Sequence, residues 1–128
     1  MPIKSFRGSI ADGGQDTISL HTNNGSTGYK IVKFQIMPEN SSSNYEITTK
    51  IYTVEQTAVD ETVNFSDQTL LAAAFTGLIG GGYAGGKTII HDNMYFNQDI
   101  YITAKDSSAS QPTNYYIELE QVKLDLNE

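Results

Sequence analysis

The chain has no cysteine, no tryptophan, a single arginine, three prolines and no long apolar run. Without cysteine, neither disulfides nor thiolate metal sites can hold it together, and no redox compartment is indicated. Arg7 is the sole arginine, and Lys30, Lys33, Lys50, Lys87, Lys105 and Lys123 stand singly among acids. Phosphate binding needs a clustered positive surface, so nucleic acid is not an expected partner. The formal net charge is -7, fifteen acidic residues against eight basic ones. A solvated acidic face accounts for it, with docking onto a basic protein surface as the sharper alternative. The longest apolar stretch, Leu70-Leu71-Ala72-Ala73-Ala74-Phe75, falls far short of the roughly 20 residues of a membrane span. Met1 to Phe6 has no apolar core of a signal peptide, so the expectation is a soluble chain with no membrane contact and no visible export signal.

What is present is the material of sheets. Thirteen threonines, eleven serines, eleven glycines and eight tyrosines in 128 residues favour strands and turns over helices. The length fits one domain, residues 1–128, able to bury a core unaided. Alternation marks strands at Ile3 to Ala11, Gln15 to His21, Tyr29 to Met37, Tyr45 to Glu55, Lys87 to His91 and Gln98 to Ala104, the last with Ile100 and Ile102 inward. In the third, Val32, Phe34 and Ile36 oppose Ile31, Lys33 and Gln35, and Pro38 ends the run. The third and fourth are expected to pair as a hairpin. Asp12-Gly13-Gly14 and Asn24-Gly25 are turn signals. Ser66 reads as a helix N-cap, with Leu70, Leu71, Ala74, Phe75 and Leu78 at helical spacing and Gly77 as the stop. The prediction is therefore an all-β chain: a single-domain antiparallel β-sandwich of jelly-roll type, with one short helix near residues 67–76 and a glycine-rich loop from Ile79 to Gly86.

Few motifs carry chemistry. Gly81 to Thr88 satisfies the G-x-x-x-x-G-K-[ST] pattern of a phosphate-binding loop. That loop must run from a buried parallel strand into a helix whose first amides hold the phosphates. Here a helix-like segment precedes it and the strand-like Ile89-Ile90 follows, so the order is reversed. Asp12 and Asp16 could offer oxygen ligands to calcium, but the twelve-residue ligand pattern of an EF-hand is missing and turn chemistry explains Asp-Gly-Gly without an ion. His91 and Asp92 are neighbours on a strand and point to opposite faces, and His21 lies in a distant segment. Glu118 and Glu120 share one strand face without the aromatic or basic context that would raise one acid. No enzyme activity, cofactor or metal is expected. The tyrosines suit interfaces and sugar platforms, since a large apolar ring carries a polar tip; about half should be core or sheet-surface residues.

The last stretch, Tyr115 to Leu126, alternates apolar and polar side chains as a long strand does. Its apolar positions are odd at Tyr115, Ile117 and Leu119 and even at Val122, Leu124 and Leu126. A flat strand cannot change sides around Glu120-Gln121, so either a bulge realigns it or its second half leaves to pack elsewhere, for instance on a neighbouring subunit.

Several of the chain's words resemble a known group. Ala11-Asp12-Gly13-Gly14-Gln15-Asp16, Asn23-Asn24-Gly25-Ser26-Thr27-Gly28-Tyr29-Lys30-Ile31-Val32-Lys33-Phe34-Gln35, Phe96-Asn97-Gln98-Asp99-Ile100-Tyr101 and the segment Asn114 to Asn127 resemble small proteins of marine tailed phages. The likeness spans most of the chain and includes no diagnostic catalytic motif. It implies a virion structural protein, of the head decoration or cement type, that binds the major capsid protein on the capsid exterior and stabilises the head as a homo-oligomer, with a trimer favoured. The contact residues expected on that basis are Ile3, Phe6 and Arg7 of the N-terminal segment, Tyr83, and Tyr116, Val122, Leu124 and Leu126 of the C-terminal strand. The alternative is a tail or fibre domain that binds a host glycan or receptor through exposed tyrosines. An enzyme or calcium-dependent lectin using Asp12 and Asp16 is the third reading.

Overall fold

The computed structural model describes residues 3–20, 27–40, 44–79, 83–91, 95–108 and 110–123. They form β1 (Ile3–Ile10), β2 (Gln15–Ile18), β3 (Thr27–Pro38), β4 (Tyr45–Tyr52), β5 (Leu70–Ile79), β6 (Tyr83–Ile90), β7 (Ile100–Asp106) and β8 (Thr113–Lys123). All pairings are antiparallel. A small sheet has the order β1-β8-β3, and a large sheet the order β2-β7-β4-β5-β6. The two pack face to face as a β-sandwich. These strand orders stop short of establishing the jelly-roll winding that the sequence suggests.

The core lies where the inner faces meet. Ile117 and Leu119 of β8, Ile100 and Ile102 of β7 and Ile51 of β4 are fully buried, with Tyr29, Ile31 and Phe34 of β3 against them. Burial of each such large side chain contributes roughly 1.5–3 kcal/mol. Tyr115 ties the sheets together: its phenol donates to Asp16 Oδ2 at 2.5 Å, from β8 across to β2. Gly8, opposite Tyr115 in the β1–β8 register, leaves room for that ring, since a Cβ there would lie 2.9 Å from the phenol oxygen.

The chain passes between the sheets at four places, and two of these corners are held by specific bonds. Between β1 and β2, Gly13 takes a positive φ of 74°, which glycine adopts without steric cost, and Gly14 N–H closes the turn onto the Ala11 carbonyl at 2.8 Å. Between β7 and β8, the buried Asp106 carboxylate accepts the amides of Glu46, Ser108 and Gln111. Asp12 joins the corners by accepting the Asp106 amide at 2.7 Å and lying 3.6 Å from Lys105 Nζ.

Four expectations are corrected. Residues 67–76 do not form a helix: from Leu70 onward they are β5, and among the described residues there is no helix. β5 lies between β4 and β6, and Leu70 to Ala74 are all buried. An interior strand covered on both faces reads as a continuous apolar run, which periodicity cannot tell from a buried helix. Ser66 does not cap anything; Asn64 accepts its amide and Asp67 folds the next turn onto Thr69. Second, β6 begins at Tyr83, within the expected glycine loop, and Gly85 and Gly86 pair with Gly77 and Thr76 of β5. A Cβ on Gly86 would meet the Phe75 carbonyl oxygen at 2.8 Å, so the close approach of these strands needs glycine. Third, β3 and β4 are not a hairpin but belong to different sheets. Fourth, the β3 register shifts between Ile31 and Lys33, making Val32 a bulge. Ile31 and Phe34 therefore both turn inward while Val32 is exposed.

Of the two alternatives for the C-terminal strand, a bulge or a departing second half, the bulge falls on its partner β3, and the second half beyond Lys123 lies outside the described residues. β8 pairs with β3 without a break from Leu119 to Lys123, so Tyr115, Ile117 and Leu119 face inward and Val122 stays with Tyr116, Glu118 and Glu120 on the outside. Leu124 and Leu126 lie outside the described residues, as do His21, Asp92, Asn24, Gly25, Gly81 and Gly82.

Candidate functional site

The outer face of the small sheet is built in rows by the registers of β8 with its two neighbours. Arg7, Tyr116 and Gln35 form one row, and Ser9, Asn114 and Met37 the next. Toward the other end come Ser5, Glu118 and Lys33, then Ile3, Glu120 and Lys30. Alternation along each strand puts all of these on the side away from the core. An open groove of about 680 Å³ runs over the first two rows. Met37 is 63% exposed there and Ile3 50% at the far end, both large apolar side chains on a solvent face.

Of the expected contact residues, Ile3, Arg7, Tyr116 and Val122 meet on this face. Phe6 does not: it turns inward and packs on the core. The Tyr83 backbone begins β6, in the large sheet, and is not brought to the same surface.

Acids form the spine of the face and bases its flanks. The Tyr116 phenol donates to Glu118 Oε2 at 2.6 Å, and that bond holds the phenol above its ordinary pKa. Lys30 pairs with Glu120 at 3.4 Å, both partly exposed, a surface pair that contributes little stability. Arg7 makes no ion pair with a described residue. With Arg7, Lys30 and Lys33 against Glu118 and Glu120, the formal charge is 3 − 2 = +1. The acidity of the chain is thus carried elsewhere, and this face does not call for a basic partner.

The other candidates resolve into structure. Asp12 and Asp16 serve the corner and the inter-sheet bond to Tyr115, and among the described residues no group of three or more His, Asp or Glu side chains is placed to hold a metal. His91 sits edge-on to Phe65, ring centroids 5.1 Å apart. Asp99 accepts the Leu20 amide. Tyr83 to Thr88, the described part of the P-loop-like stretch, is strand paired to β5 and does not lead into a helix. Among the tyrosines whose burial is described, Tyr29, Tyr45, Tyr52 and Tyr115 are buried.

A second surface has no counterpart in the expectations. The segment between Tyr52 and Leu70 folds over the outer face of the large sheet. Lys50, its side chain 5% exposed, holds it by an ion pair to Asp60 at 3.1 Å and a bond to the Thr62 carbonyl at 2.6 Å. Gln15 adds a reciprocal pair of bonds to the Gln56 backbone. Beside this flap a groove of about 380 Å³ is lined by Val63, Phe65, Phe75 and Ile89, with Lys87 and Glu61 at its rim. The signal was present in the alternation of Lys87 and Ile89, but Phe75 is visible only once β5 is known to be a strand.

The chain matches no protein-family model and no curated protein.

Proposed function

We propose that the chain is a virion structural protein of the decoration or cement type, docking through the outer face of its small sheet onto the major capsid protein at the capsid exterior. The observation that carries this reading is the convergence of Ile3, Arg7, Tyr116 and Val122 on one face, beside the exposed Met37. Rows of short polar side chains around an aromatic and a flexible thioether suit a protein contact: Tyr, Met and Arg are the residue types enriched at interfaces. The resemblance to small proteins of tailed phages supplies the partner, and the absence of cysteine leaves the fold indifferent to redox conditions.

The test is co-sedimentation of the purified chain with heads that lack it. Wild-type protein is expected to saturate the heads, and Tyr116→Glu combined with Met37→Glu to lower occupancy at least tenfold while keeping the melting temperature. Equal binding by the double variant would contradict the assigned face. A second reading is favoured by one observation: the Tyr116 ring stands between Arg7 and Gln35 and next to Asn114, an aromatic platform with amides that a sugar could use. A tail or fibre module of this kind would bind host glycan and leave heads unoccupied.

A further inference from the structure

The large sheet ends on β6, and among the described residues no strand pairs with its outer side. Of the four edge strands, β2 has only four residues. β3 carries Lys30 and Lys33, a bulge at Val32 and a terminal proline, and β1 carries Lys4 and Arg7. Short strands, charges, bulges and proline are the usual guards against strand addition. β6 has eight residues and one charge, Lys87. Residues 86–89 are all exposed, although Gly86 and Thr88 sit on the side that faces the small sheet; only Ile90 reaches the core. β3 of the small sheet approaches β6, yet residues 86–89 stay exposed, and among the described residues no strand pairs with the outer edge of β6. Next to this edge, Val63 (40% exposed), Phe65 (57%), Phe75 (45%) and Ile89 (39%) expose apolar surface around one groove.

We propose that a second copy of the chain pairs β6 to β6 across a two-fold axis, joining the two large sheets into one continuous sheet. Facing residues must share a side, so their numbers sum to an even value. Two registers keep the lysines apart, and they differ in what the Lys87 stem meets: a sum of 172 sets Gly86 on the axis and Lys87 against Gly85, where the stem has no side chain to cover. A sum of 174 sets Lys87 against Lys87, and like charges directly opposite are destabilising. A sum of 178 sets Lys87 against His91, beyond the end of β6 at Ile90. A sum of 176 puts Thr88 on the axis, Lys87 beside Ile89 of the second copy and Gly86 beside its Ile90. In that register each lysine stem covers the other copy's isoleucine while its ammonium stays in solvent. The apolar grooves then adjoin across the axis, and an isologous contact closes as a dimer. This contact uses the opposite sheet from the proposed docking face and does not depend on it.

A cysteine-free chain makes the test direct. Thr88→Cys introduces the only thiol on the axis, and facing Cα atoms in an antiparallel pair lie about 4.5–5.5 Å apart, within disulfide range. Under mild oxidation it is expected to form a disulfide dimer at least ten times faster than Glu39→Cys, an exposed control outside the large sheet. Sedimentation of the full chain at about 100 μM should give a dimer, and Ile89→Lys, which places lysine against lysine, should give a monomer with an unchanged melting temperature. A wild-type monomer or trimer, Thr88→Cys oxidising no faster than the control, or a dimer that survives Ile89→Lys would each overturn the pairing.

Discussion

Replacing Tyr115 with Phe removes one hydroxyl and keeps the ring, so it isolates the bond that joins the two sheets. Tyr115 is 6% exposed and its donor meets a carboxylate at 2.5 Å. Hydrogen bonds to charged groups contribute about 1.5–3 kcal/mol. Asp16 is half-buried and keeps its bond to the Thr17 amide, so water recovers part of the loss and about 1.5–2 kcal/mol is expected. In a chain of this size that corresponds to roughly 5–8 °C in melting temperature. Urea unfolding of wild type, Tyr115→Phe, Asp16→Ala and the double variant gives the coupling, expected near 1 kcal/mol or above. Alkaline pH supplies an independent check. Burial, and then Asp16, pushes the Tyr115 phenol above its ordinary value of 10.0. The folded state thus favours the protonated phenol, and this stabilisation is complete below about pH 10 and lost as pH rises further. The gap between wild type and Tyr115→Phe should narrow above pH 10. A loss under about 0.5 kcal/mol with no alkaline convergence would refute the inter-sheet role.

Other outcomes follow from the same contacts. Gly86→Ala drives a methyl into the Phe75 carbonyl, 2.8 Å away, and backbone cannot yield as a side chain can; a loss of about 1–3 kcal/mol in urea unfolding is expected. Ile102→Ala, at a fully buried centre of β7, should cost about 2–5 kcal/mol by the same assay. Lys50 and the Thr62 amide lower the Asp60 pKa, and Thr69 lowers that of Asp67, both from 3.8. Their stabilisation is present above about pH 4 and lost as pH falls below it. Amide exchange between Tyr52 and Leu70 should therefore accelerate below pH 4 while β4 and β7 stay protected.

Strands whose two faces differ were legible in the sequence. β8 alternates because one side meets the core and the other water, and the same pattern revealed Ile100 and Ile102 as inward. β5 was not legible, because an interior strand of alanines and leucines has no polar face to mark the period of two. The second half of β6 was read as the strand Lys87 to His91, but its first half, Tyr83 to Gly86, was hidden for the opposite reason: its glycines show little preference for a strand, and pairing with β5 decides it. Strand order was beyond local reading altogether, since β8 inserts between β1 and β3 from the far end of the chain. The docking face was half legible. Alternation set Tyr116 opposite Tyr115, Ile117 and Leu119, but it left the side of Val122 open between a bulge and packing elsewhere, and Phe6 and Arg7 are neighbours on one strand, so only the register tells which faces the core.

The proposed place of the chain in a virion head is measured most directly by its copy number in purified particles assembled with it. Quantitative mass spectrometry against the major capsid protein should give a fixed ratio matching the capsid lattice. A handful of copies per particle, located at the tail, or none at all would contradict it.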